Sequence, residues 1–144
     1  METIKEDYVS FEVAKLLKEK GFDERCFCIN YPLPEGEHHN IILQNPLNNS
    51  IIPFTDRYKF CRYKEDFITI PTLQIVMKWL REVHNLSVEV YRTACGYIGC
   101  IVAIPSGTDI KFLEEDGDDL PSGTYTKWEY ACEAAIKYCL ENLI

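Results

Sequence analysis

A segment in which cations alternate with aromatic residues has the clearest potential for macromolecular chemistry in this sequence. Its members include Arg57, Tyr58, Lys59, Arg62 and Lys64. Such a segment can follow a phosphate backbone with its cations while its rings stack on bases. The same composition is typical of an edge strand, where charged side chains block pairing with other chains.

The overall charge of the chain weighs against a nucleic-acid partner. The 144 residues include 15 Lys and Arg and 23 Asp and Glu, which gives a net charge of −8 with His neutral. An acidic protein is repelled by phosphate backbones and by anionic membrane surfaces. We therefore expect an edge or loop at residues 57–64 and no membrane partner, and we keep local nucleic-acid binding through that segment as an alternative.

The cysteines do not form a metal-binding pattern. Their number is odd and no CxxC pair occurs, whereas a structural zinc site usually draws four ligands from two close pairs. We expect reduced thiols that fill space in the core of a cytosolic protein, with no cofactor and no metal. Seven Cys and three His permit many pairings, so a small Cys- and His-dependent enzyme stays as a further alternative. The seven are Cys26, Cys28, Cys61, Cys95, Cys100, Cys132 and Cys139.

Recognised catalytic and ligand-binding motifs are absent from the sequence. It contains no G-x-S-x-G, G-x-x-x-x-G-K-[ST], H-E-x-x-H or G-x-G-x-x-G. The carboxylates of residues 114–119 are consecutive rather than alternating, which is unlike a calcium loop. His38 and His39 follow two glutamates in what we interpret as a solvent-exposed turn. We assign no catalytic residue and no metal ligand.

Two amphipathic helices in the first two thirds of the chain have clear ends. Ser10 is a typical N-cap for the first, and Gly21 suits the position just after its C-terminus. The second begins around Pro71 and Thr72, has its apolar residues at helical spacing, and ends near Asn85.

A third amphipathic helix closes the sequence, and its start matches a capping box. Thr126 and Glu129 have the spacing at which each side chain reaches the other residue's backbone N–H. Five strands are predicted between the helices, and residues 45–66 form an irregular excursion. The strands are residues 26–31, 40–44, 86–92, 96–104 and 108–113.

The order α-β-β-α-β-β-β-α predicts a single α+β domain over residues 1–144. Each amphipathic helix needs an apolar surface to cover, and short antiparallel strands provide one. We therefore expect a two-layer sandwich with three helices packed on a mainly antiparallel sheet. Residues 1–7 contain no apolar stretch of the kind that a secretory signal requires, so we expect a cytoplasmic protein.

Three stretches give the chain a family resemblance. Residues 8–24, 71–85 and 128–138, which correspond to the three predicted helices, resemble a group of small proteins encoded by prophages and other mobile elements of gut bacteria. That group has no assigned function, so the resemblance implies a shared fold and no activity, ligand or site residue.

These features together favour a binding function over catalysis. The acidic charge, the absence of catalytic motifs and the resemblance indicate a non-enzymatic accessory protein of a phage or mobile element that binds another protein. Nine tyrosines suit a contact surface, and formation of a homo-oligomer is compatible with the same features.

Overall fold

The computed structural model describes residues 4–32, 38–42, 47–48, 50–51, 68–114 and 124–144. They contain three helices and two three-stranded antiparallel sheets. The α+β class expected from the sequence is confirmed. The chain divides into two compact units, Met1–Thr72 and Leu73–Ile144, and each is described by itself.

The N-terminal unit contains one helix and one small sheet. Helix α1 spans Phe11–Glu19, and the strands are β1 (Cys28–Pro32), β2 (His38–Ile41) and β3 (Ile68–Ile70), in the order β2-β1-β3. Helix α1 contacts β3. The caps follow the sequence expectation, because the Ser10 hydroxyl accepts a hydrogen bond from the backbone N–H of Val13 at 3.3 Å and Gly21 has a φ of +83°.

Two features of this unit differ from the sequence expectation. Strand β2 begins at His38, so His38 and His39 belong to a strand rather than to an exposed turn, because pairing with β1 continues to Pro32. Strand β3 was not expected. It has only three residues, which is too short for an alternating pattern to be recognised. The structure therefore has two sheets where one was anticipated.

The C-terminal unit contains two helices and the larger sheet. Helix α2 spans Leu73–His84 and α3 spans Trp128–Asn142; the strands are β4 (Leu86–Arg92), β5 (Tyr97–Ala103) and β6 (Asp109–Leu113). The strand order is β4-β5-β6, as a meander of hairpins. Asn85, with a φ of +56°, makes the turn between α2 and β4, as expected of Asn at a helix C-terminus.

Both helices of this unit contact the sheet and each other. Helix α3 contacts all three strands, whereas α2 contacts mainly β4. Helix α3 approaches β5 closely at Gly99, where a Cβ would lie 3.3 Å from the carbonyl oxygen of Ala131. The structure therefore shows tight packing between α3 and β5 at this glycine. The residues with no exposed surface are Val76, Leu80, Ile101, Ala131, Cys132, Ala135, Ile136, Cys139 and Leu140.

The start of α3 differs from the predicted capping box. Lys127 is the N-cap and makes no side-chain capping hydrogen bond, so the helix begins at Trp128. Glu129 is therefore the second helical residue instead of the third, and the reciprocal bonding of a capping box does not apply. The cause lies just before the helix, where the backbones of Tyr125 and Tyr97 exchange two hydrogen bonds of 2.8 Å and keep the chain extended.

None of the described helices combines the length and the hydropathy needed to cross a bilayer.

Candidate functional site

The sheet of the C-terminal unit has two chemically different faces. Side chains alternate between the faces along each strand, and Gly99 lies against α3, so its neighbour Cys100 points to the opposite side. The register pairs Cys100 with Glu89 of β4 and with Phe112 of β6, which places these residues on the same side. We call this side the outer sheet face, and define it as Ser87, Glu89, Tyr91, Ile98, Cys100, Val102, Asp109 and Phe112.

A polar cluster lies at the centre of the outer sheet face. The Cys100 thiol donates a hydrogen bond to Oδ1 of Asp109, with Sγ and Oδ1 3.6 Å apart. The Ser87 hydroxyl donates to Oε1 of Glu89 at 2.5 Å. Cys100 is only 4% exposed, and burial, followed by the nearby Asp109 and Glu89 carboxylates, raises its pKa. The thiol is therefore neutral and acts as a donor that orients Asp109.

Large apolar side chains flank this cluster and are open to contact. Tyr91 is 46% exposed and Phe112 is 50% exposed. Ile98, the cross-strand partner of Tyr91, and Val102 are half-buried. The sheet thus presents two aromatic rings with aliphatic side chains and two carboxylates on one side.

The two cations of these three strands belong to the other face. The Lys111 ammonium lies 5.6 Å from the centre of the Tyr138 ring, which is part of α3. The Arg92 guanidinium lies 5.0 Å from the ring centre of Tyr97, its cross-strand partner, and its Nε donates to the Thr93 carbonyl at 3.0 Å. Among the residues of β4, β5 and β6, the outer sheet face consequently carries negative charge only.

The cysteines with shifted pKa values lack the character of catalytic nucleophiles. Burial raises the pKa of Cys28 and raises that of Cys139 to about 12, and the pKa of Cys100 is raised as well. A reactive cysteine needs the opposite shift, toward the thiolate. These three thiols do not support the Cys- and His-dependent enzyme.

Most of the described cysteines are buried, as the sequence indicated. Cys95 is the exception, because it is exposed in the turn between β4 and β5. There the Thr93 hydroxyl accepts hydrogen bonds of 3.2 Å from the backbone N–H groups of Cys95 and Gly96. The buried ones are Cys26, Cys28, Cys100, Cys132 and Cys139.

His84 has a packing role at the end of α2. Its ring meets that of Trp79 edge-on, with 4.5 Å between the ring centres. Its Nε2 is buried without a hydrogen-bond partner in the part of the chain that the structure describes. No group of three or more His, Cys, Asp or Glu side chains within the described residues is arranged to hold a metal ion.

The basic-aromatic segment proposed from the sequence lies outside the described residues. This applies to Arg57, Tyr58, Lys59, Arg62 and Lys64, and also to Cys61 and to residues 115–119 of the acidic segment.

The outer sheet face was missed by the sequence interpretation. Strand β4 alternates apolar and polar residues and was interpreted as wet on one face. The nearly all-apolar β5 was interpreted as central in its sheet or covered on both faces, and it is the central strand. The available signal was the alternation of Ser87, Glu89 and Tyr91 together with the position of Phe112, but the register that groups them is a tertiary property.

Comparison with known proteins gives no match among family models, curated proteins or solved structures.

Proposed function

We propose that this protein is a non-enzymatic accessory protein of a phage or mobile element, and that it acts by binding another protein through the outer sheet face. The observation that carries the proposal is the exposure of Tyr91 and Phe112 on the same side of one sheet, 46% and 50% respectively. Aromatic residues are enriched in the cores of protein interfaces, because they bury large areas at a small cost in conformational entropy.

The geometry of the sheet suits this role. Strand β5 is paired with β4 from Tyr97 to Ala103 and with β6 from Gly99 to Val102, and α3 packs closely against it at Gly99. The side chains that it and its neighbours present are therefore fixed relative to one another before a partner arrives. Such preorganisation lowers the entropic cost of association.

The connection with a mobile element and a cytoplasmic location are parts of the same proposal. The first rests on the resemblance of residues 8–24, 71–85 and 128–138 to prophage-encoded proteins. The second rests on the cysteine content of the chain, because thiols that are expected to stay reduced suit a reducing compartment.

The proposal is tested by affinity capture from a lysate of the cells that encode the chain, using three versions of the protein. The second version carries Tyr91→Ser and Phe112→Ser. The third carries Tyr130→Ser, which removes an equally exposed aromatic ring from α3. We expect a protein that is retained by the wild type and by the Tyr130 variant and is lost from the double variant.

Two results would contradict the proposal. One is that the double variant captures every protein that the wild type captures. The other is capture that disappears after nuclease digestion, which would favour the alternative in which residues 57–64 bind nucleic acid. A gel shift at low and at high salt then decides whether that binding is direct, because direct phosphate contacts weaken as salt rises.

A further inference from the structure

The outer sheet face has a charge pattern that specifies its partner more closely than apolar exposure alone. Glu89 lies on β4 and Asp109 lies on β6, the two strands that neighbour Cys100 on β5. The Cys100 thiol donates a hydrogen bond to Asp109. Tyr91 and Phe112 flank these carboxylates. Apolar and anionic groups therefore alternate over a distance of a few residues.

The two cations of strands β4, β5 and β6 lie on the other face of the sheet. Lys111 and Arg92 each lie over an aromatic ring on the side of the sheet that α3 covers. The Ser87 hydroxyl, which donates to Glu89, solvates a carboxylate but does not cancel its charge. A partner that covers the aromatic rings must also bring groups that compensate two carboxylates, since burying an uncompensated charge is costly.

We propose that the partner contributes an extended segment in which Lys or Arg alternates with large apolar residues. This inference rests on the proposed function and names the chemistry of the partner at the same surface. Apolar side chains of the segment contact Tyr91 and Phe112, while its cations pair with Glu89 and Asp109. The ring faces add cation–π attraction for the same cations.

The charge pattern disfavours the other occupants of this face. A second copy of the chain would place Glu89 and Asp109 against an identical pair of carboxylates, and like charges across an interface are repulsive. Nucleic acid would bring phosphates to the same carboxylates. A basic, apolar protein segment is the occupant that satisfies both the rings and the charges.

The test uses four fluorescently labelled synthetic peptides of equal length. The first alternates lysine with phenylalanine and valine, the second replaces every lysine by glutamate, the third replaces every apolar residue by serine, and the fourth replaces every lysine by serine. Fluorescence anisotropy measures the affinity of each for the full-length protein at low and at high salt.

We expect the wild type to bind the basic apolar peptide at least about ten-fold more tightly than the acidic apolar peptide, with the difference shrinking as salt rises. The basic polar and the neutral apolar peptides should each bind more weakly than the basic apolar one. The variant Glu89→Gln with Asp109→Asn keeps both hydrogen-bond acceptors, and it should reduce the ten-fold preference to about three-fold or less.

A matched control separates this face from the charge of the whole chain. Glu82→Gln with Glu141→Gln removes the same number of charges from exposed positions on α2 and α3. It should leave the preference unchanged. Thermal unfolding checks that both double variants are folded.

The inference is overturned if no peptide binds, if the acidic apolar peptide binds as tightly as the basic one, or if the preference survives loss of the Glu89 and Asp109 charges. It is also overturned if the control variant loses the preference equally. Capture from lysate that still depends on Tyr91 and Phe112 would then leave the proposed function standing, whereas capture independent of those rings would remove the proposed function itself.

Discussion

The two faces of the β4-β5-β6 sheet are built from the same strands and differ in burial and in charge. On the covered face, Gly99 lets α3 approach closely and Ile101 is fully buried. On the outer sheet face, Tyr91 and Phe112 remain about half exposed beside two carboxylates. The comparison indicates that buried packing is concentrated on the covered face, whereas the outer sheet face leaves its aromatic rings available for the recognition that we propose.

The largest effect should follow from a truncation on the covered face. Ile101→Ala removes buried methyl and methylene groups beside α3 and leaves a cavity, which should lower the free energy of unfolding by about 2–5 kcal/mol. Urea unfolding followed by circular dichroism measures the change. Phe112→Ala is the matched truncation on the outer sheet face of the adjacent strand, and it should cost about 1 kcal/mol or less. Equal losses in the two variants would break the comparison.

A somewhat smaller effect should follow from an added methyl group at Gly96. A Cβ there would lie 2.6 Å from Oγ1 of Thr124 and 2.6 Å from the carbonyl oxygen of Tyr125. Because one of these atoms is backbone, the chain before α3 must shift, and Gly96→Ala should destabilise the protein by about 1–3 kcal/mol. Gly107→Ala meets no atom within 4 Å but has a φ of +73°, so it reports the cost of backbone strain without a clash. A Gly96 variant as stable as the wild type would show that this approach is looser than the structure indicates.

The buried Cys139 thiol of α3 makes the free energy of unfolding depend on pH, and this effect should be as large as that of Gly96→Ala or smaller. The pKa of Cys139 is raised by burial to about 12, whereas in the unfolded chain the thiol ionises near its ordinary value. As pH rises, the Cys139 thiol therefore ionises first in the unfolded state. The stability that this thiol contributes is complete below its unfolded-state pKa and is lost as pH rises above that value. Between pH 8 and pH 10 the loss should be about 1–2 kcal/mol. The check is urea unfolding at both pH values for the wild type and for Cys139→Ala, whose pH dependence should be weaker. An equal slope in the variant would assign the effect to other groups.

The smallest effect concerns the thiol on the outer sheet face. Burial is the main reason for the raised pKa of Cys100, and the Asp109 carboxylate adds to it. Asp109→Asn removes that negative charge, so the pKa of Cys100 should fall toward the ordinary value while staying above it. The Cβ chemical shift of Cys100, followed by NMR against pH, measures the change. The control variant Glu82→Gln, on α2, should leave the pKa of Cys100 unchanged. An unchanged or raised pKa in the Asp109 variant would contradict the charge arrangement of the outer sheet face.

Local chemistry made most helices and strands predictable from the sequence. Ser10 and Gly21 fix the ends of α1, and the spacing of apolar residues fixes α2, because these signals act within a few residues. The start of α3 was predicted wrongly, since the bridge from Tyr125 to Tyr97 overrides the capping-box pattern. Strand β3 exists through its pairing with β1 and has no sequence pattern of its own.

The candidate site was less predictable for the same physical reason. Glu89, Cys100 and Phe112 come from three strands, and only the register brings them to one side. The sequence interpretation instead selected residues 57–64, because their cations and rings are adjacent along the chain. Contiguous patterns are visible in one sequence, whereas a surface assembled across strands is not.

The backbone bridge at Tyr125 also bears on how this chain can vary. Leu113 pairs with Gly99 and Tyr125 pairs with Tyr97, so the residues on either side of the acidic segment are anchored two positions apart on β5. The entropy of closing a loop grows only slowly with its length, about 0.6 kcal/mol for each doubling. The entropy of chain closure between these two anchors therefore depends only weakly on how many residues join them, so a difference in length at this point would change it little.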